Sequence, residues 1–570
     1  MTPSADDPRA QPCDAPAVAQ LLTEIGQRLE LAAEAPFKVR AYYRAAETLL
    51  ALPVPLAELV AKGRLRELPG IGEALAEKIT KLHKTGTHPT LEYLREQMPA
   101  GVLDLLRIPG LGPKKAAILF TELHVSNLAE LEEACRAERL RACKGLGAAL
   151  EMKVLHGLKF LHKTEGLRLV NAADEHVRLA CESLRTSRPE LRRVLPAGAL
   201  RRGCELVDSL CVVAELPEGG GRETSITAGE VRVFLSSPQH YGVRLLFATG
   251  SQAHLDGLCA RAASQGLRLS EKGFLLGRKG REIPCPDEAT LYAALGLPFI
   301  APELREGQGE IEQAAAGALP ALLQERDIRG ILHCHTQFSD GADTLAAMAE
   351  ATRARGFQYF GVADHSQSAF YAGGLKDDAI RAQHKLADEL NAGYGAGLFR
   401  IFKGIESDIR EDGALDYPAP VLQSFDFIVA SVHSRFNLDQ QAQTKRIIGA
   451  VENPHTTMLG HPSGRLLLQR EAYPVDLEEV LQACAKHGVV VELNAHPHRL
   501  DLDWRWHRRA LELGCMLSIN PDAHSSAELD VMRWGVAVAR KGGVPRERVL
   551  NCMDLRTLAD WFAARRKRAQ

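Results

Sequence analysis

The chain has 570 residues, 45% of them hydrophobic and 25% charged; that length calls for roughly three or four compact units, and the composition excludes a wholly disordered or collagen-like protein. Lys+Arg number 70 against 72 Asp+Glu, a net charge of -2, so bulk charge points to no partner and any nucleic acid must be held by local patches and oriented backbone amides. No stretch reaches the roughly 18 consecutive apolar residues of a membrane span, the opening MTPSADDPRAQPCDAP is acidic and polar where a signal peptide is basic then apolar, and the 12 cysteines from Cys13 to Cys552 contain no C-x-x-C pair. A cytoplasmic protein with reduced thiols and no membrane contact is expected.

Val18, Leu21, Leu22, Ile25 and Leu29 recur at the spacing of an amphipathic helix, and similar patterns run to about Leu161, which predicts an all-helical region over the first 165 residues. Within it a short apolar-Gly-apolar-Gly turn recurs before three helical patterns, at Gly70 and Gly72, Gly110 and Gly112, and Gly145 and Gly147. This is the helix-hairpin-helix signature. Glycines let the turn approach a phosphate closely, and the following helix offers free N–H groups and its positive dipole end. One copy reads equally well as a plain helix–helix turn; three copies point to DNA gripped by its backbone, with Lys114, Lys115 and Lys144 as cations. Lys78, six residues beyond Gly72, is a candidate Schiff-base nucleophile toward an abasic-site aldehyde, with a solvated helix lysine as the alternative.

From about Gly166 to Glu312 the pattern changes to a mixed α/β texture interrupted by the turn Pro217 to Gly221. The segments Ala197-Gly198-Ala199-Leu200-Arg201-Arg202-Gly203-Cys204-Glu205, Thr249-Gly250-Ser251 and Pro302 to Glu312 closely resemble the bacterial X-family DNA polymerases. The resemblance covers nearly the whole chain. It implies a multidomain protein: a 1–15 disordered N-terminus, a 16–88 lyase-like helix-hairpin-helix domain, 89–165 fingers, a 166–255 nucleotidyltransferase palm and a 256–315 thumb. A 316–327 linker then leads to a 328–570 metal-dependent phosphoesterase domain.

Family polymerases carry two aspartates at i and i+2 on one palm strand and a third on its neighbour, because alternate residues share a face and can converge on two magnesium ions. Counted from Arg201-Arg202-Gly203 the pair falls on Ser209 and Cys211, and counted back from Thr249-Gly250-Ser251 the third falls on Arg232. None is a carboxylate. Asp208 is one residue out of register and so on the opposite face, and Ala199 stands where the family has the serine of its triphosphate loop. A dead polymerase site, without magnesium in the palm, is expected; its competitor is an unusual site that recruits Glu205 or Glu230.

The last 240 or so residues alternate apolar strand-like runs with helical patterns, as a βα barrel does. Run after run ends on a metal-ligand type: His333 and His335, then Asp340; Asp364 and His365; Glu406; His433; His461; Asp522 and His524. Barrel active sites lie at the C-terminal strand ends, so these side chains can meet in one bowl. The pattern resembles the polymerase-and-histidinol-phosphatase (PHP) family, and nine metal positions carry over: His333, His335, Asp340, His365, Glu406, His433, His461, Asp522 and His524. Imidazoles with carboxylates and no thiolate suit zinc, manganese or iron, and nine ligands call for roughly two or three ions. By the resemblance Glu406 bridges them, and Glu406, Asp340 and His365 carry the catalysis. One departure is Ile331, where many relatives have an acid. His496 and His498 lie outside the nine and read as substrate-facing or incidental. Arg435, Arg465 and Arg499 read equally as phosphate holders or solvated surface, and Arg565-Arg566-Lys567-Arg568 reads as a solvated tail.

The fold class expected is therefore an all-α helix-hairpin-helix N-terminal region, an α/β palm with thumb, and a C-terminal PHP (β/α) barrel. The resemblance implies metal-dependent 3′-5′ exonuclease or related 3′-end and abasic-site work on gapped, nicked or abasic DNA by a monomer associated with the nucleoid. An active gap-filling polymerase would require carboxylates at Ser209, Cys211 or Arg232. A non-catalytic DNA scaffold would require a broken metal set, and a small-molecule phosphatase has no use for three hairpins.

Overall fold

Residues 12–569, apart from 51, 53, 109, 220–223, 278–279 and 396, are described by the structure, a computed structural model. Most of the segment expected to be disordered, residues 1–11, lies outside them, as do Pro109 of the second hairpin and the tip of the Pro217 turn. The chain divides into two units, Met1–Glu165 and Gly166–Gln570.

The first unit is helical throughout its described residues. Asp14 caps the helix Ala15–Leu31 by accepting from the Ala17 N–H, and one apolar stripe of that helix, Val18, Leu22, Ile25 and Leu29, meets Leu49, Ile79, Leu82 and Leu91 in a first core. A second core gathers Val102, Leu105, Leu119, Leu131, Val154 and Leu158. Each fully buried leucine contributes about 1.5–3 kcal/mol to holding its helices together. The three hairpins share one geometry: Gly70, Gly110 and Gly145 have φ of 76°, 82° and 89°, the left-handed region that favours glycine. Gly72, Gly112 and Gly147 are extended N-caps of the helices Glu73–Thr85, Pro113–Leu123 and Ala148–Thr164, and none supplies a side-chain cap. The first-turn N–H groups of all three helices are thereby left for an outside acceptor.

The second unit opens with a two-stranded ladder of β1 (Arg168–Leu169) and β3 (Leu206–Val207). Beside it β2 (Arg192–Pro196), β4 (Cys211–Glu215), β5 (Ser225–Ala228) and β6 (Val231–Ser236) form a sheet of order β2-β4-β6-β5, in which β4 and β6 run parallel. A small antiparallel sheet of β7 (Arg268–Ser270), β8 (Phe274–Leu276) and β9 (Glu282–Ile283) follows.

Seven parallel strands then run in sequence order: β10 (Gly330–Cys334), β11 (Tyr359–Val362), β12 (Arg400–Asp408), β13 (Phe427–Ser431), β14 (Met458–Leu459), β15 (Val490–Asn494) and β16 (Leu517–Asn520). The ring is nearly closed. Cys334 bridges Ala523 just past β16, where the His335 N–H donates to the Ala523 carbonyl at 2.8 Å. These strands are buried on both faces, which is why they read as apolar runs without alternation. The base of the barrel is plugged by the last helix, Leu555–Ala569, whose Phe562 stacks on Phe427 at 5.4 Å and meets Phe402 edge-on at 5.1 Å.

Arg565 and Arg566, expected as part of a solvated tail, instead belong to that plug, while Lys567 and Arg568 are exposed. Arg565 donates to the Thr456 and Gly488 carbonyls, both at 2.6 Å, and Arg566 pairs with Asp426 at 2.5 Å. The barrel also seals onto the β2-β4-β6-β5 domain. Buried Glu205 accepts from Trp504 Nε1 at 3.1 Å and Arg505 Nη1 at 2.8 Å, and Lys541 Nζ donates to the Arg202 carbonyl at 3.2 Å.

Candidate metal centre

At the C-terminal mouth of the barrel the nine sequence-predicted side chains come together. Glu406 is the hub. Its Oε1 lies 3.0 Å from His461 Nε2 and 3.3 Å from both His333 Nε2 and His433 Nε2, while its Oε2 lies 2.9 Å from His365 Nδ1 and 3.7 Å from His335 Nε2. Asp522 Oδ1 is 3.0 Å from His335 Nε2 and 3.7 Å from His333 Nε2. Asp340 completes the set, 3.5 Å from His524 Nε2, 3.6 Å from His365 Nε2 and 3.9 Å from His335 Nδ1. The floor residues are buried, whereas the Asp340 and His524 side chains are 36% and 35% exposed, so the bowl opens on their side.

Three overlapping groups could each hold an ion: His335, Asp340, His365 and His524; His333, His335 and Asp522; and His365, Glu406 and His433. The donor chemistry fits. Of the 15 buried side-chain N or O atoms without a hydrogen bond among the described residues, five belong to this set, namely His333 Nε2, His335 Nδ1, His365 Nδ1, Glu406 Oε2 and His461 Nδ1. Orphaned polar atoms are costly in a core, and converging imidazole and carboxylate donors without a thiolate are those that divalent zinc, manganese and iron accept.

Electrostatics tie the floor together. Burial opposes the charged form of His433, but Glu406 and Asp408 outweigh it and hold its pKa up at about 10. Burial likewise opposes ionised Glu406, yet His433, His333 and His365 keep its carboxyl well below the usual range.

Sequence reasoning missed the residues that orient the ligands. Glu492 on β15 accepts from His333 Nδ1 at 2.5 Å, from Asn520 Nδ2 at 2.8 Å and from the His461 N–H at 2.7 Å. Asp408 accepts from His433 Nδ1 at 2.6 Å, and Asn494 Nδ2 donates to Asp522 at 3.0 Å. A signal existed: Glu406 and Asp408, like Glu492 and Asn494, are i, i+2 pairs that share one strand face. Asp364, a ligand type at a strand end, is absent from the three groups. It accepts from the Thr336 N–H and Oγ1, Ser339 Oγ and Gln383 Nε2, and so latches the loop that carries Asp340.

Of the three arginines, only Arg499 faces the bowl, its Nε 3.3 Å from Asp522 Oδ2. Arg465 is neither solvated nor free for phosphate, because it is spent on the Arg499 and Leu500 carbonyls and on Asp503. Arg435 is exposed and lies 3.5 Å from Glu411. His496 and His498 stack on each other at 5.5 Å.

In the sheet of β2, β4, β6 and β5, Cys211 is the direct register partner of Arg232, and exposed Ser209 hydrogen-bonds the neighbouring Asp208. The two acids that might have substituted are engaged elsewhere: Glu205 in the barrel contact above, and Glu230 with Arg168 at 2.8 Å. In the first unit, Lys114 and Lys115 line a cavity with Gly112, Arg40 and Tyr43. Lys78 is half-buried on its helix and donates to Thr90 Oγ1 at 3.4 Å.

Comparison with known proteins agrees with this layout. Residues 13–88 match the helix-hairpin-helix domain, 102–159 the SAM-like helix-hairpin-helix tandem, 244–306 the DNA polymerase beta thumb, and 332–496 the PHP domain. The chain is 34% identical over 570 residues to the DNA polymerase/3′-5′ exonuclease PolX of Bacillus subtilis, covering 95% of this chain and 97% of that protein. It is also 27% identical to a probable phosphatase of Thermoanaerobacter sp. strain X514, over 38% of this chain and 88% of that protein. A probable phosphatase of Enterobacter sp. strain 638 is 28% identical over 40% of this chain and 91% of its own length. No helix among the described residues is long and apolar enough to cross a membrane.

Proposed function

Because this chain belongs to the PolX family of DNA polymerases/3′-5′ exonucleases, with helix-hairpin-helix, thumb and PHP domains, we propose that its working active site is the barrel and that it hydrolyses DNA phosphodiesters from 3′ ends or at abasic sites. In this reading the nucleotidyltransferase palm is retired as a polymerase and holds DNA without magnesium. The observation that carries the proposal is the contrast between the two sites. Eight imidazole and carboxylate side chains gather with Glu406 at the barrel mouth, whereas the palm pairs a thiol with a guanidinium where three carboxylates are needed.

His333, His335, Asp340, His365, Glu406, His433, His461, Asp522 and His524 would hold roughly two or three divalent ions, manganese, zinc or iron by donor type. When bound, such ions acidify water, polarise the phosphoryl group and neutralise the leaving oxygen. The chain's own residues supply the frame. Glu406 bridges the imidazoles, Asp340 and His365 stand at the open rim, and Glu492 and Asp408 fix the tautomers of His333 and His433. Arg499 presents a guanidinium to an incoming phosphate from the Asp522 side. The glycine turns at Gly70, Gly110 and Gly145 grip backbone phosphates in a sequence-independent way.

The test is incubation of the full chain with manganese, nucleotides and an end-labelled gapped DNA, beside a His333→Ala/His335→Ala variant. Shortening that the variant loses, with no extension in either protein, is expected. Extension at the level of an intact family polymerase would overturn the retired-palm reading.

A further inference from the structure

Between β11 and the helix Asp377–Tyr394 a short loop crosses the rim of the bowl, and two aromatic side chains stand out of it. Phe370 is 86% exposed and Tyr371 64%. Scattered apolar residues on a surface need no explanation, but adjacent exposed rings beside a reactive centre do. Their centroids lie 6.1 Å apart at 77°, and the Tyr371 ring is 6.4 Å from that of His365. One flank of the Tyr371 ring thus stands at the edge of the bowl.

The loop holds these rings out rigidly. Phe370–Ala372 is one tight helical turn. The Ala372 and Gly374 N–H groups both donate to the Ala369 carbonyl, and the Leu375 N–H donates to the His365 carbonyl. A Cβ on Gly374 would lie 1.9 Å from the Ser366 carbonyl oxygen, so the return path admits no side chain there. The loop is thereby tied at both ends to the segment that carries His365, and a ring fixed in this way loses little entropy on binding.

We propose that Phe370 and Tyr371 form a stacking platform for the terminal nucleobases of a single-stranded DNA 3′ end whose phosphodiester enters the bowl. The proposal rests on the phosphoesterase reading above and adds what separates a DNA strand from a small phosphate ester. A nucleotide offers both groups that this rim can take at once, an anion for the side lined by Arg499 and the ligand set and a flat π-face for the rings. Stacking is also tolerant of sequence, because every base has such a face, and this suits an enzyme that degrades ends of any composition. A simple phosphomonoester would leave both rings in water.

The test uses the full chain with manganese and a single-stranded oligonucleotide that carries 2-aminopurine at its 3′ terminus behind a phosphorothioate linkage. Stacking on the platform quenches the fluorophore. Phe370→Ala/Tyr371→Ala is expected to abolish most of the quench and to lower the preference for DNA over methyl p-nitrophenyl phosphate, a diester without a nucleobase, roughly ten-fold, the lower part of the range for one stacked base. Phe370→Trp/Tyr371→Phe is expected to keep both, since it preserves the π-faces. An alanine variant with undiminished quench and preference would overturn the platform and leave the phosphoesterase reading standing. A wild-type protein that cleaves the ester but not DNA would overturn both. A wild-type dimer that the alanine variant no longer forms, with DNA preference intact, would assign the rings to a second copy and overturn the proposal.

Discussion

Cys211 on β4 and Arg232 on β6 face each other as register partners in a parallel ladder, the adjacency through which the family brings carboxylates from two strands to one pair of ions. In the proposed reading the backbone geometry of a polymerase palm is kept and its chemistry changed. Cys211 is buried beside the tight turn at Gly198, and burial, then the Asp208 charge, push its thiol up to about 11, so it is a neutral thiol at physiological pH. Arg232 lies with its guanidinium 4.8 Å over the Phe234 ring. A cation stacked on an aromatic face cannot serve as a metal ligand.

The first prediction concerns this pair. Wild-type protein extends no primer on gapped DNA with magnesium, and neither Cys211→Asp nor Arg232→Asp alone restores extension, because two-metal chemistry needs the carboxylates together. Only the combined Ser209→Asp/Cys211→Asp/Arg232→Asp chain is expected to show measurable incorporation in a gel assay. Extension by either single variant would mean that other acids already complete the site.

Glu492 yields the second prediction. It is fully buried and accepts from His333, His461 and Asn520, so Glu492→Gln keeps the volume but must aim an N–H toward groups that themselves donate. Misoriented His333 and His461 are expected to weaken metal affinity about 10–100-fold. Chelator-competition titration of manganese measures this directly, with circular dichroism as the check on folding. Unchanged affinity in a folded variant would remove Glu492 from the role assigned to it.

The cluster at the barrel mouth was legible because each of its side chains except Asp340 and His524 sits on or just after an apolar run, and barrel strands deliver their ends to one mouth whatever lies between them. What faces those side chains from a neighbouring strand was not legible. Glu492 meets His333 across 159 positions, and nothing near Glu492 in the chain announces that contact. The C-terminal helix was misread for a related reason. Its density of arginine reads as solvated surface, while Leu558 and Phe562, one turn apart, carry the apolar face, and the carbonyls that Arg565 satisfies come from loops at the barrel base. Arg465 is a second such case, since its acceptors are the Arg499 and Leu500 carbonyls, more than 30 residues away. Local pattern locates an element; long-range polar satisfaction decides what its charged residues do.

That helix supplies the third prediction. Phe562 fills the base of the barrel between Phe427 and Phe402, and large-to-small changes at such sites cost about 3–5 kcal/mol. Phe562→Ala is expected to lower the urea midpoint of the second unit, as read by tryptophan fluorescence. All four tryptophans, at 504, 506, 534 and 561, lie in the second unit, so this signal reports that unit alone. A shift near zero would mean that the helix is not needed to close the barrel.

The last prediction is a pH dependence that originates away from the metal ligands. His507 is fully buried; its Nε2–H donates to the Leu502 carbonyl at 3.1 Å, while Nδ1 is pressed against Gly542 with no hydrogen-bond partner. A proton on Nδ1 would place a charge where nothing accepts it. Burial is the main cause that brings its pKa down to about 4, with Arg465 adding to the fall and the Leu502 carbonyl, Asp503 and Glu205 opposing it. The unfolded chain has an ordinary histidine near pH 6.5. Between those values the unfolded state binds a proton that the folded state refuses, so stability rises with pH across the window. The contribution is fully present above about pH 6.5 and is lost as the pH falls toward 4. Going from pH 7 to pH 5 should therefore cost the wild type about 2 kcal/mol more than it costs His507→Gln, and urea denaturation of both proteins at the two pH values reads the difference. Other histidines titrate in both proteins and cancel. Equal losses would show that His507 is protonated in the fold, and that a group not placed beside Nδ1 here accepts its charge.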